Sequence, residues 1–360
     1  MRRDFLEIDT SFQGSPFHQP IEAQDVEALR VLLTGDSVID WRRMVFADLA
    51  AVDRFLATQL IDPADPHDRE RLRYVFNEAI SYLEEHLRLR FPAELRNPKD
   101  VRDVFVWANQ SDGFRRTQIL SCVTLKLMHV IHHMEAADLK FRLPVSEAQY
   151  LHLAHRRILA QAEQMREMGL PILAFYGSRK SRSAMITKLL AKKKAVAATI
   201  FDKLRYRIVV CDHTDIAPAL AWLSRNVFPF NYVVPSESHN NLLDPDVLLD
   251  HLDSPDERDE IRMRPTNFQT VYTKNEFSGA TYRAINWICD YPVRIPDSVD
   301  NPFAMELGRV VHVHVEFQLL DQETARRNEE GENAHRLYKA RQQRQVAERL
   351  KRGFDEPRSE

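Results

Sequence analysis

One stretch narrows the possible fold more than any other, residues 309–320, RVVHVHVEFQLL. Apolar and polar side chains alternate through it with a period of two, which a β-strand satisfies and a helix does not. Val311, Val313, Val315, Phe317 and Leu319 form one face, and His312, His314, Glu316 and Gln318 the other. The aliphatic face requires a sheet and a covering layer, whereas a charged row on the opposite side points to a cleft. Residues 203–210 repeat the pattern, with Leu204, Tyr206, Ile208 and Val210 opposed to Lys203, Arg205 and Arg207. Further strands are expected at 171–177, 268–274 and 281–289, and helices at about 180–197, 212–228 and 323–353. The polar, proline-punctuated residues 236–265 read as a surface insertion.

Before Gly169 the period changes to that of helices. Six are expected. The first covers 22–34. The second runs through Trp41, Val45, Leu49 and Phe55, with Asp36 or Ser37 as its cap. The third ends at Pro92, and a shorter one after Pro98 takes in Val101, Val104, Phe105 and Trp107. The last two cover 114–139 and Ser146 to Met168, where Gly169 and Pro171 stop the chain. Short connections between long helices imply an antiparallel bundle. The fold class is therefore α+β, with a helical domain over 1–168 and a mixed sheet flanked by helices over 169–355.

Composition removes several classes of function. No apolar stretch approaches the roughly 20 residues of a membrane span. The opening MRRDFLEIDT has no apolar run after its arginines, so no signal peptide and no membrane are expected, and the location is cytoplasmic. Cys122, Cys211 and Cys289 are too few and too scattered for a disulfide framework or a zinc centre. Neither a Walker loop nor a dinucleotide fingerprint occurs. His129 and His133 share a helix face and with a third ligand would suit zinc, but a packed or solvated face is the preferred reading. The same holds for His152 and His155.

The chemistry concentrates in residues 177–207, GSRKSRSAMITKLLAKKKAVAATIFDKLRYR. Ten cations stand there against one anion, Asp202, a local charge of +9 in a chain of −3. Such a patch attracts a polyanion, and a lone carboxylate among the cations suits a metal–triphosphate site. The helix that follows the basic loop is expected to bury Met185 with Leu189 and Ile186 with Leu190. Asp202 and Glu316 both belong to strands of one sheet, so together they can hold Mg²⁺, and Glu316 can also take a proton from an attacking hydroxyl.

These residues resemble the alarmone synthetase domain of the RelA/SpoT family, a nucleotidyltransferase-like fold. The family's basic loop, G-R-x-K followed by a second lysine, is similar to GSRKSRSAMITK through Gly177, Lys180 and Lys188. Its metal strand resembles FDKLRYRIVV through Asp202 and Arg207. Its guanine-stacking segment resembles KNEFSGATYRAIN through Lys274, Asn275 and Tyr282, with Thr281 in place of glycine and Asn286 in place of histidine. Its second acidic strand is similar to VEFQLLD through Glu316 and Gln318. Its closing helix resembles NEEGENAHRLYK through Glu329, Gly331, Ala334, His335, Tyr338 and Lys339. Ser178 stands where the loop arginine falls, with Arg179 beside it.

The resemblance implies transfer of the β,γ-diphosphate of ATP to the 3′-hydroxyl of a guanine nucleotide. Arg179, Lys180, Lys188, Arg205 and Arg207 would clamp the ATP phosphates, and Asp202 and Glu316 would hold Mg²⁺ and carry the catalysis. Lys274, Asn275, Tyr282, Asn286, Gln318 and His335 would contact the acceptor, with Tyr282 stacking on its base. Two alternatives stay open. One is transfer to another 3′-hydroxyl, such as the end of tRNA, with Lys192–Lys194 tracking RNA phosphates. The other is a nucleotide-binding module without turnover. The first 150 residues do not resemble the family's hydrolase half, because their one His–Asp pair, His67–Asp68, lacks the further histidine and aspartate ligands at the spacing that half needs.

Overall fold

A computed structural model describes residues 4–6, 21, 23–34, 41, 44, 46–109, 115–191, 202–234, 237–244, 247–250, 281–330 and 335–351. The architecture is α+β. Helices α1 (Ala23–Thr34), α2 (Leu49–Thr58), α3 (Pro66–Leu87), α4 (Ala93–Arg96), α5 (Asp103–Asn109), α6 (Arg115–Arg142) and α7 (Glu147–Glu167) come first. Strands β2 (Ile172–Arg179) and β3 (Leu204–Val210) follow, with α8 (Arg182–Ala191) between them, and then α9 (Ile216–Asn226), β4 (His239–Asn240) and α10 (Val247–Asp250). Strand β5 (Ile285–Arg294), α11 (Ala304–Leu307), β6 (Val310–Asp321), α12 (Gln322–Glu329) and α13 (His335–Lys351) complete the order.

An edge strand that the sequence pattern does not announce, β1 (Asp4–Leu6), pairs with β2. The sheet order is β1-β2-β3-β6-β5-β4. The β3–β6 pair is parallel and the other pairs are antiparallel. No helix among the described residues is long and apolar enough to cross a membrane.

Local chemistry explains the helix ends. Ser146 and Gln149 form a reciprocal capping box at the start of α7, satisfying donors that the first turn leaves open. Gly169 closes the exit with φ of 70°, a conformation that costs glycine little. Elsewhere the expected ends move. The second helix starts only after Asp48, whose carboxylate accepts from the Ala51 N–H at 2.8 Å, so Trp41 lies outside it. The strand expected to end at Gly177 continues to Arg179, which shortens the basic loop to Lys180 and Ser181. The helix after that loop is turned to bring Lys188 inward, and Ile186 and Leu190 are therefore 49% and 39% exposed rather than buried. The closing helix is described as two pieces, α12 and α13. The strand expected at 268–274 lies outside the described residues.

The sheet's apolar face carries the aliphatic row of β6 together with Tyr206, Ile208, Trp287 and Tyr291, all buried. It packs on α7 and on the residues after α9. His155 Nδ1 and the Tyr206 hydroxyl are 2.7 Å apart, Tyr291 donates to Gln161 Oε1 at 2.8 Å, and the Phe228 ring lies 5.2 Å from that of Trp287. The helical segments share this core, as the ion pair of Asp25 on α1 with Arg225 on α9 shows. Among the described residues, α6 covers one end of the polar face of the sheet. There α6 lays His133 beside His312, with ring centroids 5.1 Å apart, and Lys140 donates to the His312 carbonyl at 2.9 Å.

Four of the fourteen histidines gather at that covered end. His129, His133, His312 and Tyr232 pack ring against ring, and Asp290 accepts from His314 Nε2 at 3.0 Å. Burial holds His129 down to about 3, so it packs as a neutral ring. Among the described residues no group of three or more His, Cys, Asp or Glu side chains is arranged to hold a metal. In the His67–Asp68 doublet, buried Asp68 accepts from Arg294 Nη1 at 2.7 Å and ties α3 to the end of β5.

Candidate functional site

The other half of the polar face is assembled by two strand pairings. Parallel register sets Arg205 opposite Glu316 and Arg207 opposite Gln318. Antiparallel register then sets Ile288 opposite Glu316 and Asn286 opposite Gln318. Directly opposed residues share a face, so residues far apart in sequence line up in two rows across the strands. The first row holds Arg205 and Glu316, with 3.7 Å between Arg205 Nε and Glu316 Oε1. The second holds Arg207, Gln318 and Asn286. Glu316 and Gln318 are buried, which for a carboxylate and an amide calls for specific partners.

Asp202 lies in the turn before β3, outside the pleat. Lys188 donates to its Oδ1 at 2.7 Å, and Lys180 pairs with its Oδ2. Lys180 is the first residue after β2, and its N–H donates to the Lys203 carbonyl at 3.0 Å, fixing the close of the β2–β3 pair. Lys188 arrives from α8, whose first turn is tied by the Ala184 N–H donating to Ser181 Oγ at 3.3 Å. Burial disfavours the Asp202 charge, but the two ammonium groups outweigh it and hold the carboxyl at about 2. Burial lowers Lys180 below the ordinary lysine value, against the attraction of Asp202 and, further off, Glu316. Lys180 is thus in electrostatic reach of both acidic residues.

Gly177 matters here for a different reason than loop flexibility. It sits within β2, and a Cβ at this position would lie 3.0 Å from the Tyr206 ring and 3.3 Å from that of His155. Glycine lets the strand pass close over these rings on its way to Lys180.

The remaining residues of interest are distributed as follows. Arg179 pairs with Leu204, which turns it to the face opposite Arg205, where it is exposed. Arg207 Nη1 donates to Glu329 Oε1 at 2.9 Å. The Tyr282 hydroxyl accepts from Gln318 Nε2 at 2.7 Å, bringing the aromatic ring to the second polar row. His335 opens α13. Lys274, Asn275 and Lys192–Lys194 lie outside the described residues.

Two asparagines invisible to motif reasoning set the backbone around Tyr282. Asn241 Nδ2 donates to the Tyr282 carbonyl at 2.7 Å, and its Oδ1 accepts from the Ala284 N–H at 2.8 Å. Asn328 on α12 accepts from the Arg283 N–H at 3.1 Å and donates to the Arg283 carbonyl at 2.6 Å. Each asparagine stands in for a neighbouring strand, a role that no sequence spacing signals.

No protein-family model and no curated protein matches this sequence. Among solved structures, the chain is similar to the small alarmone synthetase 1 of Bacillus subtilis, with 14% identity over 58% of this chain and 92% of that one, at a TM-score of 0.30. The structure of small alarmone synthetase 1 of B. subtilis bound to its product pppGpp matches with 15% identity over 57% and 88%, at 0.32. Small alarmone synthetase 2 of B. subtilis matches with 15% identity over 57% and 91%, at 0.29. At such values the chemistry rests on this chain's own residues.

Proposed function

We propose that the chain is a pyrophosphate transferase of the RelA/SpoT alarmone-synthetase type, acting from ATP onto the 3′-hydroxyl of a guanine nucleotide. The observation that carries this reading is the grip of Lys180 and Lys188 on Asp202, beside a strand pair bearing Arg205, Arg207 and the buried Glu316. The two lysines and two arginines supply the positive charge that a triphosphate in transfer needs. A bound triphosphate brings oxygens that compete for Lys180 and Lys188, and this frees the Asp202 carboxylate.

The donor set fits Mg²⁺ in kind, because Asp202 and Glu316 offer carboxylate oxygens and would hold the ion together with oxygens of the substrate phosphates. The ion, when bound, supplies charge neutralisation at the phosphates. Glu316 accepts the proton of the 3′-hydroxyl as that oxygen bonds to the β-phosphorus of ATP. The bond from the β-phosphorus to the α–β bridging oxygen breaks and AMP leaves. Tyr282, held by Gln318, offers its ring to the acceptor base.

The test is incubation of the full chain with γ-labelled ATP, Mg²⁺ and, separately, GDP, GTP or tRNA. Label on GDP or GTP is expected. Label on tRNA alone moves the assignment to a tRNA-modifying enzyme, and ATP binding without transfer to any acceptor leaves a binding module. Asp202→Asn and Glu316→Gln are each expected to slow transfer by at least about 10²-fold while the protein stays folded. Wild-type rates in both variants would remove the site.

A further inference from the structure

The seam where α6 lies on the sheet is built mainly from imidazole rings. His129 and His133 on α6 have ring centroids 4.7 Å apart, and His133 is 5.1 Å from His312 on β6. Tyr232, in the 3₁₀ turn Phe230–Tyr232, meets all three, at 5.4 Å from His129 and 4.6 Å from each of the others. His132 turns toward α3, where it lines a small cavity with Arg71, Leu72 and Val310. Its Nε2 is buried and has no hydrogen-bond partner among the described residues.

Cations crowd the same seam. Lys140 donates to the His312 carbonyl at 2.9 Å, and the Arg71 guanidinium stands near His132. The carboxylates around it are committed. Glu135 pairs with Arg71, Asp68 accepts from Arg294 Nη1 at 2.7 Å, and Glu147, beyond Lys140, accepts from Lys203 at 2.7 Å. Asp290 on β5 is the carboxylate that meets the rings. It stands 3.7 Å from His133 Nδ1 and already accepts from His314 Nε2 at 3.0 Å. Protons taken up by His129, His132, His133 and His312 therefore add positive charges beside one another, and Asp290 offsets one of them.

We infer that this seam is an acid-operated latch, in which neutral rings hold α6 on β6 and their protonation releases it. Burial, and after it the neighbouring cations and rings, holds His129 and His132 down to about 3, and burial lowers His133 and His312 as well. Released into water, each ring takes up its proton near the ordinary 6.5. Release therefore binds protons and is favoured as pH falls below that value. Between pH 7.5 and 5.5 each freed imidazole favours the released state about tenfold, and three that Asp290 does not offset favour it about 10³-fold. His312 lies four residues before Glu316 on the same face of β6, about 13 Å away. For its effect on the chemistry the latch rests on the reading that Glu316 carries the transfer.

Amide hydrogen exchange of the full chain at pH 7.5 and 5.5, corrected for the intrinsic rate at each pH, tests the latch without nucleotide or turnover. Packing holds most helical hydrogen bonds in proteins, so a released α6 exchanges. Amides of α6 should lose about 10³-fold of their protection on acidification, and those of α7, on the sheet's apolar face, less than about threefold. His129→Phe and His312→Phe keep a ring that takes no proton. Each should reduce the α6 loss about tenfold, and the double variant about a hundredfold. His312→Gln repeats the measurement should the phenylalanine variant fail to fold. Equal loss in α6 and α7, an α6 that stays protected in wild type, or an unchanged loss in the folded variants overturns the latch.

The two failures are separable. Transfer onto GDP by a chain whose α6 is equally protected at both pH values sinks the latch and leaves the transferase. Protection lost in wild type and kept in the variants, with no transfer to any acceptor, leaves the latch and removes its bearing on Glu316.

Discussion

Asp202→Asn puts the lysine grip to a quantitative test that does not depend on substrate. The Asp202 side chain is 15% exposed and those of Lys180 and Lys188 are 21% and 19% exposed, so solvent screens the cluster only in part. Its carboxyl is held at about 2, against an ordinary value of 3.8. By linkage that difference is worth about 2 kcal/mol of folding stability. The folded pKa lies below the unfolded one, so the contribution is complete above pH ~4 and declines as pH falls toward 2. At pH 3 roughly half of it, about 1 kcal/mol, remains.

Asparagine cannot carry the charge at any pH. The stability gap between wild type and Asp202→Asn should therefore be about 2 kcal/mol at pH 6 and narrow to about 1 at pH 3, read from urea denaturation at each pH. A gap of constant size from pH 6 to pH 3 would show that the carboxylate is not held by the lysines, and the phosphate clamp built on them would fall with it.

Three further outcomes follow from the packing. Gly177→Ala forces a Cβ against the rings of Tyr206 and His155 and should cost about 1–3 kcal/mol in denaturant titrations. Asn328→Ala removes two bonds to the Arg283 backbone, and should raise the KM for the acceptor about tenfold with the KM for ATP unchanged in steady-state assays. Asp25→Ala breaks the charge-assisted pair between α1 and α9 and should lower stability by about 1–3 kcal/mol, visible as a lower thermal midpoint.

Much of the fold was legible because it follows from local periodicity. The alternation in 309–320 dictated a strand with His312, His314, Glu316 and Gln318 on one side, and the Ser146 and Gly169 signals dictated both ends of α7. Ends governed by tertiary packing were not legible. Asp48 rather than Asp36 or Ser37 caps α2, and α8 turns its lysine inward and leaves Ile186 and Leu190 half-exposed. An aliphatic stripe states which side of a helix is greasy, not whether a neighbour arrives to cover it.

The sequence by itself determined the chemical types in play, a cationic segment around one carboxylate and a polar row on an otherwise aliphatic strand. Only the tertiary structure decided their geometry. Strand register is a non-local property, fixed when the buried faces of β3, β5 and β6 lock together, and it aligns Arg207, Gln318, Asn286 and His239 in one line. Ion pairing is equally non-local. Lys180 and Lys188 converge on Asp202 because α8 folds back over the start of β3, and no spacing rule along the chain contains that fact.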